Sequence, residues 1–338
     1  RGIYASVDAG KSWSGPIGKW YDTAGTWMPG FWDFPSYKIC RRLLISPSCP
    51  RQMLAIIQAN SYQRRKTDGY VFRSQDGGLT WRVVLYVPDG CFKDLEIDPD
   101  QSKRVFVGGR TVYLSNDFGK SWRSLQRSGL PPDSMVARCE VALTPASPGR
   151  VYVLVNARDG KTNDLYLANS LRDGFRKVAS GAGSPPWRTA LAVDSRNPDL
   201  IYYSAGNKVN RFEKAGSAWR SVFAGNGLHD DVHDLTPDPR GGKVFASTDG
   251  GLACSVDSGK TWQLLYRGLN VTEYWGLAAA SRGDSLFILG GTQDAGTQVF
   301  LGSMTSGEFR CSTIRGGDGM KPWISAVQPD TWITTDGN

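Results

Sequence analysis

An eight-residue turn recurs four times along this chain, as Ser6-Val7-Asp8-Ala9-Gly10-Lys11-Ser12-Trp13, Ser74-Gln75-Asp76-Gly77-Gly78-Leu79-Thr80-Trp81, Ser115-Asn116-Asp117-Phe118-Gly119-Lys120-Ser121-Trp122 and Ser255-Val256-Asp257-Ser258-Gly259-Lys260-Thr261-Trp262. Each copy follows an alternating apolar run such as Gly69-Tyr70-Val71-Phe72-Arg73 and precedes another such as Trp81-Arg82-Val83-Val84-Leu85. That is the layout of a β-hairpin around a tight turn. The Asp bonds backbone amides, the Gly takes positive φ, and the Trp anchors the next strand. A hairpin cannot bury both of its faces alone, so a chain built from such units must stack them.

Between these copies lie degenerate ones, at Leu167 to Phe175, Arg211 to Trp219 and Leu301 to Phe309. The anchoring aromatics Trp13, Trp81, Trp122, Phe175, Trp219, Trp262 and Phe309 are then separated by 68, 41, 53, 44, 43 and 47 residues. This period predicts an all-β, seven-bladed propeller with four-stranded blades. In the third unit the strands are expected at Phe92 to Ile97, Arg104 to Gly108, Thr111 to Ser115 and Ser121 to Leu125. A Pro-marked turn after the first strand recurs at Ser46-Pro47, Asp98-Pro99, Thr144-Pro145, Asn197-Pro198 and Asp238-Pro239, where Pro ends strand pairing. The chain opens on strands three and four of a unit and closes on strands one and two, at Lys321 to Val327 and Thr331 to Thr335. The two termini are therefore expected to share one blade and close the ring, leaving no free sheet edge. Residues 1–338 read as a single propeller domain.

The turn resembles the Asp box of the bacterial-neuraminidase-repeat proteins, a set that includes sialidases, xyloglucanase-type glycoside hydrolases, sortilin-like receptors and photosystem-assembly propellers. Gly268 to Trp275, Gly290 to Thr297 and Gly316 to Gly319 further resemble sortilin-like and bacterial secreted members. The resemblance implies that Asp8, Asp76, Asp117 and Asp257, with Trp13, Trp81, Trp122 and Trp262, are structural positions on the face away from the binding site. The sialidase Arg-Ile-Pro motif is absent, and the chain has length for one propeller rather than the two of the xyloglucanase type.

The spacing of 68 reflects an insertion of about 26 residues over 14–39, longer than an ordinary connection. It carries Trp20, Tyr21, Trp27, Phe31, Trp32, Phe34 and Tyr37, with Asp22 and Asp33. These aromatics have three readings: burial within the domain, a surface that docks a protein partner, or a platform for a sugar. A glycosidase needs two carboxylates roughly 5 to 10 Å apart. Asp22, Asp33, Asp294 and Asp318 fall in loops expected on the face opposite the repeated turns, and each also suits a turn-forming role beside Gly.

His229 and His233, in His229-Asp230-Asp231-Val232-His233-Asp234, read as a weak metal pair or as a polar loop entering a strand. There is no nucleophile elbow, phosphate loop or dinucleotide fingerprint, so no cofactor is expected. The six cysteines form no CxxC pair, and Cys40 and Cys91, each before the first strand of adjacent units, are expected to form a disulfide. A net charge of +8 is scattered, reading as a mildly basic solvated surface rather than a nucleic-acid site. No stretch has the length and purity of a membrane helix, although association with a membrane complex through basic residues is a third reading. Arg1 opens directly on a strand-like run, as in a processed or trimmed protein, and Asn270-Val271-Thr272 fits a glycosylation acceptor. The expected function is an exported, non-catalytic scaffold or receptor, secreted, periplasmic or at the cell surface, that binds a protein or glycan through the face carrying 14–39. The alternative is a glycoside hydrolase acting through paired carboxylates.

Overall fold

The computed structural model describes the chain except residues 1–2, 10, 16, 30, 32–36, 62–65, 266–272, 326 and 335–338, and the side chains of Tyr37, Ser61 and Arg315. Trp32, Asp33, Phe34 and the Asn270 triplet therefore lie outside the described residues. The described residues form two compact units, 1–247 with 253–263, and 248–252 with 264–338.

The fold is all-β. Its described strands form seven sheets in chain order, and their first strands are Tyr37–Ile45, Asp94–Asp98, Val136–Ala142, Leu191–Val193, Val232–Pro237, Tyr274–Arg282 and Trp323–Ile324. Sheets two to six are four-stranded antiparallel meanders, and the seventh pairs only Trp323–Ile324 with Trp332–Ile333. The expected strands of the third repeat unit fall at Asp94–Asp98, Gln101–Gly108, Val112–Ser115 and Arg123–Ser124. Residues Ala5 and Ser14 meet in an isolated antiparallel bridge flanking the first turn.

The hairpins form because their turns are closed locally. Asp76 Oδ1 accepts from Ser74 Oγ at 2.8 Å and from the Thr80 amide at 2.9 Å, while its Oδ2 accepts from Thr80 Oγ1 at 2.5 Å. The same three bonds recur around Asp8, Asp117 and Asp257. Positive φ extends one residue further than the sequence suggests: Gly77, Phe118 and Ser258, just after each Asp, share it with the Gly that follows. Two successive left-handed residues make the tight turn that matches strand twist.

In the first unit, apolar clusters lie between consecutive sheets. Leu54, Ile56 and Val71 of sheet one meet Val105 and Val107 of sheet two, with Phe92 from the segment that enters it. Phe106 and Leu114 meet Val141 and Val153; Leu165 and Ala179 meet Ile201 and Phe212; Ala192 and Tyr202 meet Val232 and Trp262. In the second unit Leu289 and Val299 pack with Ile324 and Trp332. Sheets two to four are thus hydrophobic on both faces, the requirement for face-to-face stacking of blades.

The 14–39 segment is partly a strand. Lys19–Tyr21 pairs in parallel with the outermost strand of sheet one, Thr80–Val87, making that sheet five-stranded. Trp20 is 4% exposed, stacked on Trp81 at 5.3 Å and on Phe31 at 5.5 Å, so this part of the insertion extends the core. All six cysteines are free, which corrects the expected Cys40–Cys91 disulfide. The Cys40 thiol, which lies within the strand Tyr37–Ile45 rather than before it, instead faces the Arg42 carbonyl, and the Cys91 thiol faces the Asp89 carboxylate, both at 3.8 Å. No helix among the described residues is long and apolar enough to cross a membrane.

Candidate functional site

The first strands of the first unit converge on a polar centre. Arg42, in the first strand of sheet one, donates from Nη1 and Nη2 to the Asp234 carboxylate of sheet five at 3.0 and 2.7 Å. Its Nη2 also lies 3.7 Å from Asp94 Oδ1 of sheet two. Asp94 Oδ2 accepts from the Val141 amide of sheet three at 2.6 Å. Lys93 Nζ donates to the Thr189 and His233 carbonyls and stands 3.7 Å from Glu140 Oε1, which accepts from Thr189 Oγ1 at 2.5 Å. Strands of four sheets and the loop entering sheet four are therefore tied by one ionic network. Burial lifts the Asp94 carboxyl to about 7, reinforced by the Glu140 charge, and lifts Glu96 in the same direction. Burial also pushes the Lys93 ammonium down.

At one end of these strands opens a cavity of about 400 Å³ lined by Arg41, Gln58, Asn60, Arg110, Arg138 and Arg158, with Cys91 and Trp187 at its wall and rim. Its chain segments are the ends of first strands and the connections between strands two and three, opposite the repeated turns. The insertion ends here as well, since Tyr37 pairs in register with Asn60. Arg110 is engaged by the Asp89 side chain and carbonyl, both at 2.8 Å, and by the Val136 carbonyl at 3.1 Å. Arg41 Nε donates to Gln58 Oε1 at 2.7 Å. Trp187 is 57% exposed.

The residues singled out from sequence fall in different places. Trp20 is enclosed, Tyr21 and Phe31 are half-buried, and Trp27 is 56% exposed. Asp22 accepts from the Thr26 amide at 2.7 Å and closes a local turn. Asp294 and Asp318 are brought together in the second unit, the Asp294 amide donating to Asp318 Oδ1 at 3.0 Å. His229 sits in the loop before Val232–Pro237 and His233 within that strand, and no group of three potential metal-binding side chains converges among the described residues. Of the repeat tryptophans, Trp81 and Trp262 are buried and bond carbonyls at 2.9 Å, Trp122 is partly buried, and Trp13 is 65% exposed.

No protein-family model matches the chain. The vacuolar protein sorting/targeting protein 10 of Fusarium vanettenii is 35% identical over 114 residues, which are 32% of this chain and 7% of that protein. Its counterpart in Sordaria macrospora is 38% identical over 58 residues, 17% of this chain and 4% of that protein. The chain thus spans less than a tenth of the curated relatives it matches. Among solved structures, a GH74 enzyme of Niastella koreensis superposes with a TM-score of 0.54 at 14% identity, over 88% of this chain and 62% of that one. YCF48 bound to D1 peptide superposes with a TM-score of 0.46 at 14% identity, over 89% of this chain and 93% of that one.

The fold is of the β-propeller type.

Sequence reasoning missed both the ionic centre and the cavity. The available signal was charge at alternate positions of otherwise apolar first strands, Asp94 and Glu96 in one and Arg138 and Glu140 in the next. A charge every second residue places the two of each strand on one face of it. The cations taken as scattered surface charge include Arg138, which is 6% exposed.

Proposed function

We propose that the chain is an exported, non-catalytic propeller module that binds a protein ligand on the loop face where the 14–39 segment ends. The observation that carries this reading is the lining of the cavity, in which arginines, side-chain amides and an exposed Trp converge without a facing carboxylate pair. Such a wall recognises and orients a ligand, whereas glycoside hydrolysis requires two carboxyls across one sugar. The names of the partial relatives, which concern vacuolar protein sorting and targeting, agree with a protein as the ligand and with an exported setting. Asp8, Asp76, Asp117 and Asp257 are then Asp boxes that close hairpins, and residues 1–338 form one propeller domain. The seventh sheet pairs two short strands, and Ala5 and Ser14 meet in a single antiparallel bridge across the Asp8 turn, which supports our reading of seven blades closed by a shared one. An experimental structure that puts these pieces on different sheets overturns that closure.

A second reading, glycoside hydrolysis, is favoured by one observation, the proximity of Asp294 to Asp318. Two assays separate the readings. Selection of the full chain against a displayed random-peptide library should enrich sequences that bind the wild type and lose affinity with Trp187→Ala. Release of reducing ends from a polysaccharide panel, abolished by Asp318→Asn, would replace the binding reading by the hydrolase one.

A further inference from the structure

We propose that the arginine-lined cavity is an oxyanion site anchored by Arg138, and that a side-chain carboxylate of the bound protein segment occupies it. Arg138 lies in Val136–Ala142, lines the cavity and is 6% exposed. Its Nε and Nη1 have no hydrogen-bond partner. A guanidinium does not deprotonate in a protein, so the charge stays. Burial pushes the Arg138 pKa down, opposed by Glu140, and the like charges of Arg41 and Arg110 add to the downward push. A buried cation in that position is strongly disfavoured unless an anion accompanies it.

The carboxylate beside it, Glu140, accepts from Thr189 Oγ1 at 2.5 Å, stands 3.7 Å from Lys93 Nζ and makes no hydrogen bond to Arg138 Nε or Nη1. The Asp89 carboxylate is already engaged, Oδ2 accepting from Arg110 Nη2 at 2.8 Å and Oδ1 from the Thr67 amide at 3.3 Å. Burial raises the Cys91 thiol, which keeps that sulfur neutral. Gln58 points the other way: with Oε1 taken by Arg41 Nε at 2.7 Å, its Nε2 is a second orphaned donor, on a side chain 1% exposed. Three donor atoms without partners, Arg138 Nε and Nη1 and Gln58 Nε2, thus belong to two buried side chains that line one cavity together with Arg158. Planar guanidinium donors match carboxylate or phosphate oxygens in a forked geometry. Trp187 at the rim offers an apolar face to the residue beside the anion.

The inference rests on the protein-binding reading only for the source of the carboxylate, and the experiment keeps the two apart. Thermal unfolding of the full chain is followed with sodium phosphate or sodium acetate against sodium chloride at matched ionic strength. The oxyanions should raise the midpoint of the wild type beyond chloride, and this gain should vanish in Arg138→Met while surviving in Arg176→Ala, which alters basic surface elsewhere. In parallel, an acidic peptide from the selection, acetylated and amidated so that only side-chain carboxylates remain, is compared with its Asn/Gln counterpart by calorimetry. Loss of the carboxylates should weaken binding by about tenfold or more. Should Arg138→Met not fold, Arg158→Ala and the peptide pair decide alone. Equal stabilisation by chloride and oxyanions, or equal affinity of the two peptides, overturns the site. Stabilisation by phosphate with no peptide binding upholds the site and overturns its carboxylate source together with the protein-binding reading.

Discussion

Arg42 and Asp234 stand 192 residues apart and are joined by two parallel hydrogen bonds, at 3.0 and 2.7 Å. Local sequence cannot produce this contact; it exists because the first strands of four sheets, with the loop entering a further one, meet at one polar centre. Arg42 also stands beside the buried Asp94. Its loss therefore strands a carboxylate as well as breaking a pair. Arg42→Met should destabilise the chain by about 2 kcal/mol, read as a lower urea midpoint, because the pair itself is half-exposed and worth less than a fully buried one. A double-mutant cycle with Asp234→Asn should show coupling between the two positions. An unchanged midpoint would mean that packing between sheets, not this pair, holds these first strands together.

Stability should fall as pH rises toward neutrality. Burial, and then Glu140, hold the Asp94 carboxyl at about 7 in the folded chain, against an ordinary value near 3.8. Between these values the folded state keeps a proton that the unfolded state has released, so stability is full below about pH 4 and declines up to about pH 7. The slope from one such group is at most about 1.4 kcal/mol per pH unit. The repeated turns act in the opposite sense at lower pH: bonds from Ser12 hold Asp8, and bonds from Thr261 hold Asp257, at about 2. Their contribution is present above about pH 4 and is lost as pH falls toward 2. Urea unfolding from pH 3 to 8 should show the decline in the wild type and flatten it in Asp94→Asn with Glu96→Gln.

Each turn aspartate should matter for stability and not for ligand binding. Asp117 accepts from Ser115 Oγ at 2.8 Å, the Ser121 amide at 2.9 Å and Ser121 Oγ at 2.6 Å, while the neighbouring Phe118 is buried. Asp117→Ala should cost about 1–3 kcal/mol. Peptide affinity measured well below the melting temperature should not change, since the cavity lies at the other end of the strands. A binding defect in a folded Asp117→Ala protein would place function on this face.

The repeat was legible because its determinants are local. Eight residues carry the Ser, Asp, Gly and hydroxyl that close the turn, and the strand divisions around Asp98-Pro99 follow from the same short-range chemistry. The Trp of the motif was less legible. Trp81 is enclosed because Trp20 stacks on it, whereas Trp13 has the same local sequence and is exposed. What covers such a ring is decided by a neighbouring segment, not by its own turn. The ionic centre was hidden for the same reason: Lys93-Asp94-Leu95-Glu96 reads as a polar strand end until other sheets surround it. Cys40 and Cys91 sit on adjacent units as expected, yet adjacency of strands did not direct their thiols toward each other.

Within the 14–39 segment, two tryptophans should separate packing from recognition. Trp20 is stacked at interplanar angles of 8° on Trp81 and 16° on Phe31 and meets Phe72 edge-on at 4.8 Å. Trp20→Ala opens a cavity in sheet one and should cost about 3–5 kcal/mol, with any loss of binding following from unfolding. Trp27 is 56% exposed, and Trp27→Ala should leave the urea midpoint within about 0.5 kcal/mol. If this segment contributes to the ligand face, that folded variant binds the selected peptides more weakly. Unchanged peptide affinity would confine recognition to the cavity and leave the insertion as an extra strand that covers Trp81.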